Sequence, residues 1–297
     1  MKKSGRSKML NLVVTGKPSD GLFFYSCEHY WKLQELGIPV QLIVITAGAG
    51  KGRFFGAHEY LGSVREKYKK SIPIIFDDYF PEQNEVNLIM GRSMLTLAYK
   101  QMRDQTYEKQ FTLELLFKNP LISVYSENHP VEYYHALDHY KPKTVIDLCD
   151  HEQYPNGIGR EFKKQIHFEY YKEPVEDKQF EYLFLGTTPS YYKWAEEVIH
   201  KYPDHGIVGY IPEYANLQLN NVRAPVENLL GKFNTYVYCK KDFDPAPRIL
   251  QECFYYNKQV IFENTNPGVE IYKKRGLKTP DVTEIVKAYD EIQRMGY

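Results

Sequence analysis

Short apolar runs recur along the chain, each bounded by turn-forming residues, and they set its organisation before any chemistry is considered. Residues 10–15 (LNLVVT) form such a run, which ends at Gly16 and a turn-rich GKPSDG stretch. Phe24, Cys27 and Trp31 then share one helical face, Gly37 closes that helix, and 40–46 (VQLIVIT) forms a second run. Strand, helix and strand in this order predict a βαβ unit with a right-handed crossover. Further short strands are expected at 72–76, 86–90, 121–125, 144–148 and 166–170, so the N-terminal half reads as a parallel sheet.

The stretch 172–179 (KEPVEDKQ) is charged and loses periodicity, the mark of an exposed linker. Alternation then resumes, with strands expected at 181–185, 206–210, 235–239 and 259–262 and helices at 191–200, 226–230 and 245–256. A last helix opens at Thr279-Pro280, with Val282, Ile285, Val286, Tyr289 and Ile292 on one face. The pattern predicts an α/β chain of two doubly wound domains, 1–173 and 174–297, facing a cleft. Ligands of such sheets bind at the carboxyl ends of the strands.

A length of 297 residues suits two cores of ordinary size. Thirty-eight basic side chains balance 38 acidic ones, so attraction of a polyanion would depend on a local patch. No apolar stretch is long enough for a transmembrane helix, and residues 1–8 lead into a strand rather than a secretory segment. The expectation is a cytoplasmic protein with no membrane partner. Cys27, Cys149, Cys239 and Cys253 lack CxxC spacing, which argues for buried small apolar residues rather than zinc ligands or disulfides. The 27 tyrosines suit both packing layers and concave ligand surfaces.

The chemistry concentrates in 235–267 (TYVYCKKDFDPAPRILQECFYYNKQVIFENTNP). Asp244, seven intervening residues and Glu252 precede the Asn257-Lys258-Gln259-Val260-Ile261 strand. Read plainly, Asp244-Pro245 is an N-cap followed by a first-turn proline, and Arg248 with Glu252 is a surface i,i+4 ion pair. The segment also resembles the donor-binding segment of GT-B glycosyltransferases, where an acidic residue, seven others and a glutamate precede a Gly-Lys-Pro-Val-Ile strand. The resemblance implies two Rossmann-like domains and a nucleotide-sugar donor, a UDP-sugar favoured, with no permanently bound cofactor and no metal.

On that resemblance Glu252 accepts the ribose hydroxyls, Asp244 contacts the sugar, and the adjoining helix N-terminus meets the diphosphate. Arg248 and Lys258 offset the charge on the leaving nucleotide. A weaker similarity over 181–262 makes Gly186 the glycine after the first donor-domain strand. Thr187 stands where many members carry arginine, and Lys193 or Arg223 would supply that charge.

Gly16 and the stretch after it are family-like places for acceptor contacts, with Asp20 read either as a catalytic acid or as an N-cap. Asp78, beside Asp77 at a strand end, is read either as the general base of an inverting transfer or as a solvated loop acid. Glu127, His129, Asp147, Asp150 and His151 lack HxH or HExxH spacing, so no metal is expected. The AGAGKGR at 47–53 lacks the GK[ST] ending of a nucleotide-triphosphate loop. Lys51 and Arg53 begin a basic stretch with His58, Arg65, Lys67, Lys69 and Lys70, interleaved with Phe54, Phe55 and Tyr60. It is read either as a phosphate-tracking patch or as a solvated helix face. In flavour this is similar to bacteriophage enzymes that glycosylate hydroxymethylated bases, which implies duplex DNA as acceptor. A saccharide or lipid-linked acceptor, and a non-catalytic nucleotide-binding module, are the competing expectations.

Overall fold

A computed structural model of the chain describes residues 8–15, 18, 21–45, 55–76, 85–91, 96, 99, 103, 121–125, 131–142, 144–147, 159–161, 166–186, 189–208, 221–222, 229–241, 248–264, 269 and 282–295. It divides into two compact units. The first comprises Met1–Val64, Lys70–His167 and Pro280–Tyr297, and the second Arg65–Lys69 and Phe168–Thr279.

The first unit carries β1 (Leu10–Thr15), β2 (Val40–Ile45), β3 (Ile74–Phe76), β4 (Val86–Met90), β5 (Leu121–Tyr125), β6 (Thr144–Asp147) and β7 (Gly159–Glu161). They form one parallel sheet in the order β3-β2-β1-β4-β5-β6-β7. The apolar runs arise because helices cover parallel strands on both faces: all six residues of β1 and all five of β4 are buried. Helix α1 (Gly21–Glu35) buries Phe23, Phe24, Tyr25, Cys27, Tyr30, Trp31 and Leu33. A polar ladder crosses the sheet, in which Gln41 donates to Asn11 (2.7 Å) and Asn11 donates to Asn87 (2.8 Å). A one-residue slip would leave these buried amides unmatched, so the ladder fixes register. Helix α2 (Ala57–Lys67) and α3 (Val131–Tyr140) follow β2 and β5.

The second unit holds β8 (Phe180–Leu185), β9 (His205–Val208), β10 (Asn221–Val222), β11 (Phe233–Tyr238) and β12 (Gln259–Phe262), parallel in the order β10-β9-β8-β11-β12. Strand β8 and helix α4 (Pro189–Val198) begin this unit's alternation, and helix α5 (Arg248–Tyr255) joins β11 to β12. Alternate residues feed two cores. Leu183, Tyr236, Tyr238, Leu250 and Cys253 pack together on one side, and Phe184, Tyr192, Ala195, Ile207 and Val237 on the other. Both units are thus parallel α/β sheets.

Three features depart from the sequence reading. The strand expected at 166–170 is a 3-10 turn at Phe168–Tyr170, because the backbone there pairs with another segment instead of a sheet. The Lys69 amide donates to the Tyr170 carbonyl at 2.8 Å and the Lys172 amide to the Lys67 carbonyl at 2.9 Å. The charged stretch 172–179 is exposed as expected, yet it lies inside the second unit. It is anchored there by the Asp177 amide to the Gly231 carbonyl, and a side chain at Gly231 would meet the Val175 oxygen at 1.8 Å. The final helix α6 (Thr283–Arg294) clusters with the first unit rather than with 174–279. Tyr289 and Gln293 on α6 donate to the Lys8 carbonyl beside β1, while Ile285, Ala288 and Ile292 are buried.

Candidate functional site

In the second sheet, β8 is followed by β9 and β10 on one side, whereas β11 and β12 lie on the other. The strand order therefore reverses between β8 and β11, and doubly wound sheets open a crevice at the carboxyl ends of such strands. A pocket of about 320 Å³, its open mouth included, occupies this position. Leu185 ends β8, Tyr238 ends β11, and Cys239 and Lys240 continue from it. Tyr191 and Ile249, near the first residues of α4 and α5, complete the wall with Tyr236.

The lining is mostly apolar and aromatic, with a few polar tips, the usual make-up of a small-molecule site. Lys240 Nζ stands 5.1 Å from the centre of the Tyr191 ring, a cation–π pair at the pocket wall. Burial first, and then the Glu263 carboxylate, push the Cys239 thiol up to about 12, so it is a neutral contact rather than a nucleophile. Asn264 beyond β12 donates to the Cys239 carbonyl at 2.6 Å and pins the pocket floor.

Arg248 and Glu252 belong to a second feature on α5. They form an i,i+4 pair, Nε to Oε1 at 3.1 Å, but their side chains are only 9% and 1% exposed, so the surface-pair reading is corrected. Glu252 Oε1 also accepts from Lys67 Nζ at 2.9 Å and from the Tyr171 hydroxyl at 3.0 Å. Arg248 Nη2 donates to the hydroxyls of Tyr171 and, at 3.3 Å, Tyr68. The Lys67 ammonium lies 4.9 Å from the Tyr171 ring centre and the Arg248 guanidinium 5.7 Å. Burial raises the Glu252 carboxyl, and the Lys67 and Arg248 charges together with the hydrogen bonds overcome this and hold it below the ordinary carboxylate value. Glu252 is an ionised group enclosed by two cations and a phenol, all within the second unit.

The remaining expected site residues fall differently. The Gly186 amide donates to the Val208 carbonyl at 2.7 Å, and a β-carbon there would meet Ile207 Cδ1 at 2.9 Å and Tyr192 Cδ2 at 3.1 Å. Close packing therefore explains this glycine. Lys258 lies near Glu176 (3.4 Å) and over the Phe233 ring, and Lys193 is exposed on α4. Asp244, Asp20, Asp78, Arg223, Gly16, Lys51 and Arg53 lie outside the described residues. In the basic stretch, Lys67 and Tyr60 are buried rather than solvated, and Lys69 and Lys70 face Glu173 and Glu35. Among the described residues no group of three His, Cys, Asp or Glu is placed to hold a metal ion. Nor is any helix among them long and apolar enough to cross a membrane. Cys27, Cys239 and Cys253 are buried thiols.

The pocket wall was not singled out in sequence, although the rule of strand carboxyl ends points to Leu185 and to 238–240. Lys67, Tyr68 and Tyr171 carried no local signal, because their partners Arg248 and Glu252 are far along the chain.

Fold and pocket together define a two-sheet parallel α/β chain with a crevice in its second sheet. No family model matches the chain, and no curated protein does. Solved structures share its fold. A glycosyltransferase from Rickettsia africae ESF-5 superposes with a TM-score of 0.52 at 12% identity, covering 98% of this chain and 89% of that one. An alpha-glucosyltransferase in complex with UDP-glucose and DNA containing an abasic site gives 0.51 at 11% identity, covering 98% and 91%. The chain therefore has the α/β fold of these glycosyltransferases, with two parallel sheets.

Proposed function

We propose that the chain is a glycosyltransferase that moves a sugar from a nucleoside-diphosphate sugar, with a UDP-sugar favoured, to an acceptor hydroxyl. The observation that carries this reading is the aromatic pocket at the strand-order reversal of the second sheet, in a fold shared with glycosyltransferases over 98% of the chain. Tyr191, Tyr236 and Tyr238 offer flat faces and hydroxyls to a nucleoside. Lys240 and the N-terminal ends of α4 and α5 favour the diphosphate. In the transfer, the bond from the sugar's anomeric carbon to the diphosphate oxygen breaks and a bond to the acceptor oxygen forms. The acceptor proton passes to a carboxylate base, for which Asp78 is proposed, and the developing charge on the nucleoside diphosphate is offset by these positive groups. Asp244, which falls between β11 and α5 in the sequence, is the proposed contact to the sugar hydroxyls. Asp20 and Asp78 are the proposed acceptor-side acids.

A hydroxymethylated base in duplex DNA is the leading acceptor, because the solved neighbours include a glucosyltransferase bound to UDP-glucose and DNA. The reading is tested by thermal unfolding with UDP, GDP, their sugar conjugates and NAD. A ligand at about 100 times its Kd stabilises the fold by about 2.7 kcal/mol. Stabilisation by one nucleoside diphosphate is expected, followed by sugar transfer to hydroxymethylated DNA detected by mass spectrometry. A response to NAD alone would overturn the transferase reading, and transfer only to saccharides would overturn the DNA acceptor.

A further inference from the structure

Ile249 is the second residue of α5 and part of the pocket wall, so the pocket's shape depends on where the first turn of α5 sits. Leu250 of that turn is fully buried in the second unit's core and Ile249 packs against the same core. Polar contacts add a directional anchor. Arg248 opens the helix and Glu252 lies one turn on, and both are held by side chains from the segments 65–69 and 168–171. The deepest of these is Lys67, whose side chain is 1% exposed and whose ammonium is 2.9 Å from Glu252 Oε1. The backbone contributing Lys67 is itself fixed, through the Tyr68 and Tyr171 bridge and the amides of Lys69 and Lys172.

We propose that Lys67 is a positioning residue for the donor pocket: through Glu252 it holds the first turn of α5, and with it Ile249, against the carboxyl ends of β8 and β11. The inference rests on the pocket being the donor site. It gives the Lys67–Glu252 pair a role in ligand affinity as well as in stability. A buried ion pair suits that role, since its geometry is satisfied in one arrangement and any shift of the helix separates opposite charges in a medium of low polarity. Apolar contacts would tolerate sliding.

The test combines two measurements on the full chain. Cys239 lines the same pocket and is 5% exposed, so its alkylation by N-ethylmaleimide, mapped by peptide mass spectrometry, reports opening of the wall without reference to any ligand. Cys27, 0% exposed in the first unit, serves as the control for global unfolding. UDP binding by calorimetry reports the donor. In Lys67→Met, local opening is expected to speed Cys239 alkylation about tenfold with Cys27 unchanged. Displacement of the wall is expected to weaken UDP binding about tenfold. Lys67→Arg, which keeps the cation, is expected to restore both to near the wild-type values.

Should Lys67→Met not fold, seen as labelling of Cys27 too, Tyr171→Phe decides. It removes one hydrogen bond to Glu252, keeps the ring, and is expected to shift both readouts in the same direction by a smaller factor. Wild-type alkylation and wild-type UDP affinity in the folded variant would overturn the proposal. A wild-type protein that binds no nucleoside diphosphate would overturn the donor reading instead, and the alkylation rate would then judge Lys67 alone.

Discussion

Replacing Glu252 by alanine is the sharpest probe of the cluster on α5. The change removes the carboxylate that Lys67, Arg248 and Tyr171 share, and it leaves an ammonium that is 1% exposed and a guanidinium that is 9% exposed without that counter-charge. Removing one partner of a buried pair costs about 3–5 kcal/mol, much of it the penalty of the charge left behind. For domains of about 150–250 residues each kcal/mol lowers the melting temperature by about 2–4 °C, so a drop of roughly 6–20 °C is expected. The assay is thermal unfolding by circular dichroism without nucleotide, checked by the urea midpoint. Lys178→Ala is the comparison, since Lys178 and Glu181 are 50% and 35% exposed, and such a pair contributes little. No change in melting temperature is expected there. A Glu252→Ala protein melting within about 2 °C of wild type would refute the view that this carboxylate neutralises buried cations.

Two further outcomes follow from the same geometry. Ile249→Trp places an indole at the wall of the pocket. It should leave the melting temperature near wild type while weakening UDP binding at least about tenfold by calorimetry, because filling a preformed pocket removes its ligand contacts. The Glu252 carboxyl is held below its ordinary value of 4.5, so the folded state keeps it ionised at pH values where the unfolded chain binds a proton. Its stabilisation is present above about pH 4.5 and is lost as pH falls through the lower folded-state value. Glu252→Gln should flatten this acid limb in urea midpoints measured from pH 6 to pH 3, and an unchanged limb would count against the assignment.

Much of the fold was legible because a parallel sheet hides both faces. Strands 86–90, 121–125 and 259–262 stand where the apolar runs put them, and the runs at 10–15 and 40–46 contain β1 and β2. Where burial had another cause, the same signal misled. Tyr170 and Tyr171 are buried where their backbone pairs with 67–69, a contact that no local periodicity encodes. Strand β7, Gly-Arg-Glu, has no apolar run at all and is defined by its register with β6. At the site, spacing correctly put Arg248 and Glu252 on one face of a helix, since four residues make about one turn. It could not tell whether that face meets solvent, ligand or protein. Lys67 decides the matter, and it was counted among the surface cations because sequence context shows charge and not depth. Gly186 illustrates the converse, a glycine suggestive of a ligand that stands where a β-carbon would crowd the Ile207 and Tyr192 side chains.

The second unit borrows residues 65–69 from within the first, and the first recovers 280–297 only after the second is complete. The two units are therefore interleaved in the chain and are not consecutive modules. Neither can be lifted out by a single cut. A fragment beginning at residue 174 would carry Glu252 and Arg248 but neither Lys67, Tyr68 nor Tyr171, and the remainder would lack the helix that caps Lys8. During synthesis α5 cannot acquire its final anchor until it meets a segment made long before, and the first unit gains residues 280–297 only after the second has been made. Exchange of donor specificity between related chains would accordingly need matched substitutions around residues 67 and 171 as well as around the pocket, a constraint that favours gradual change over the swapping of whole domains.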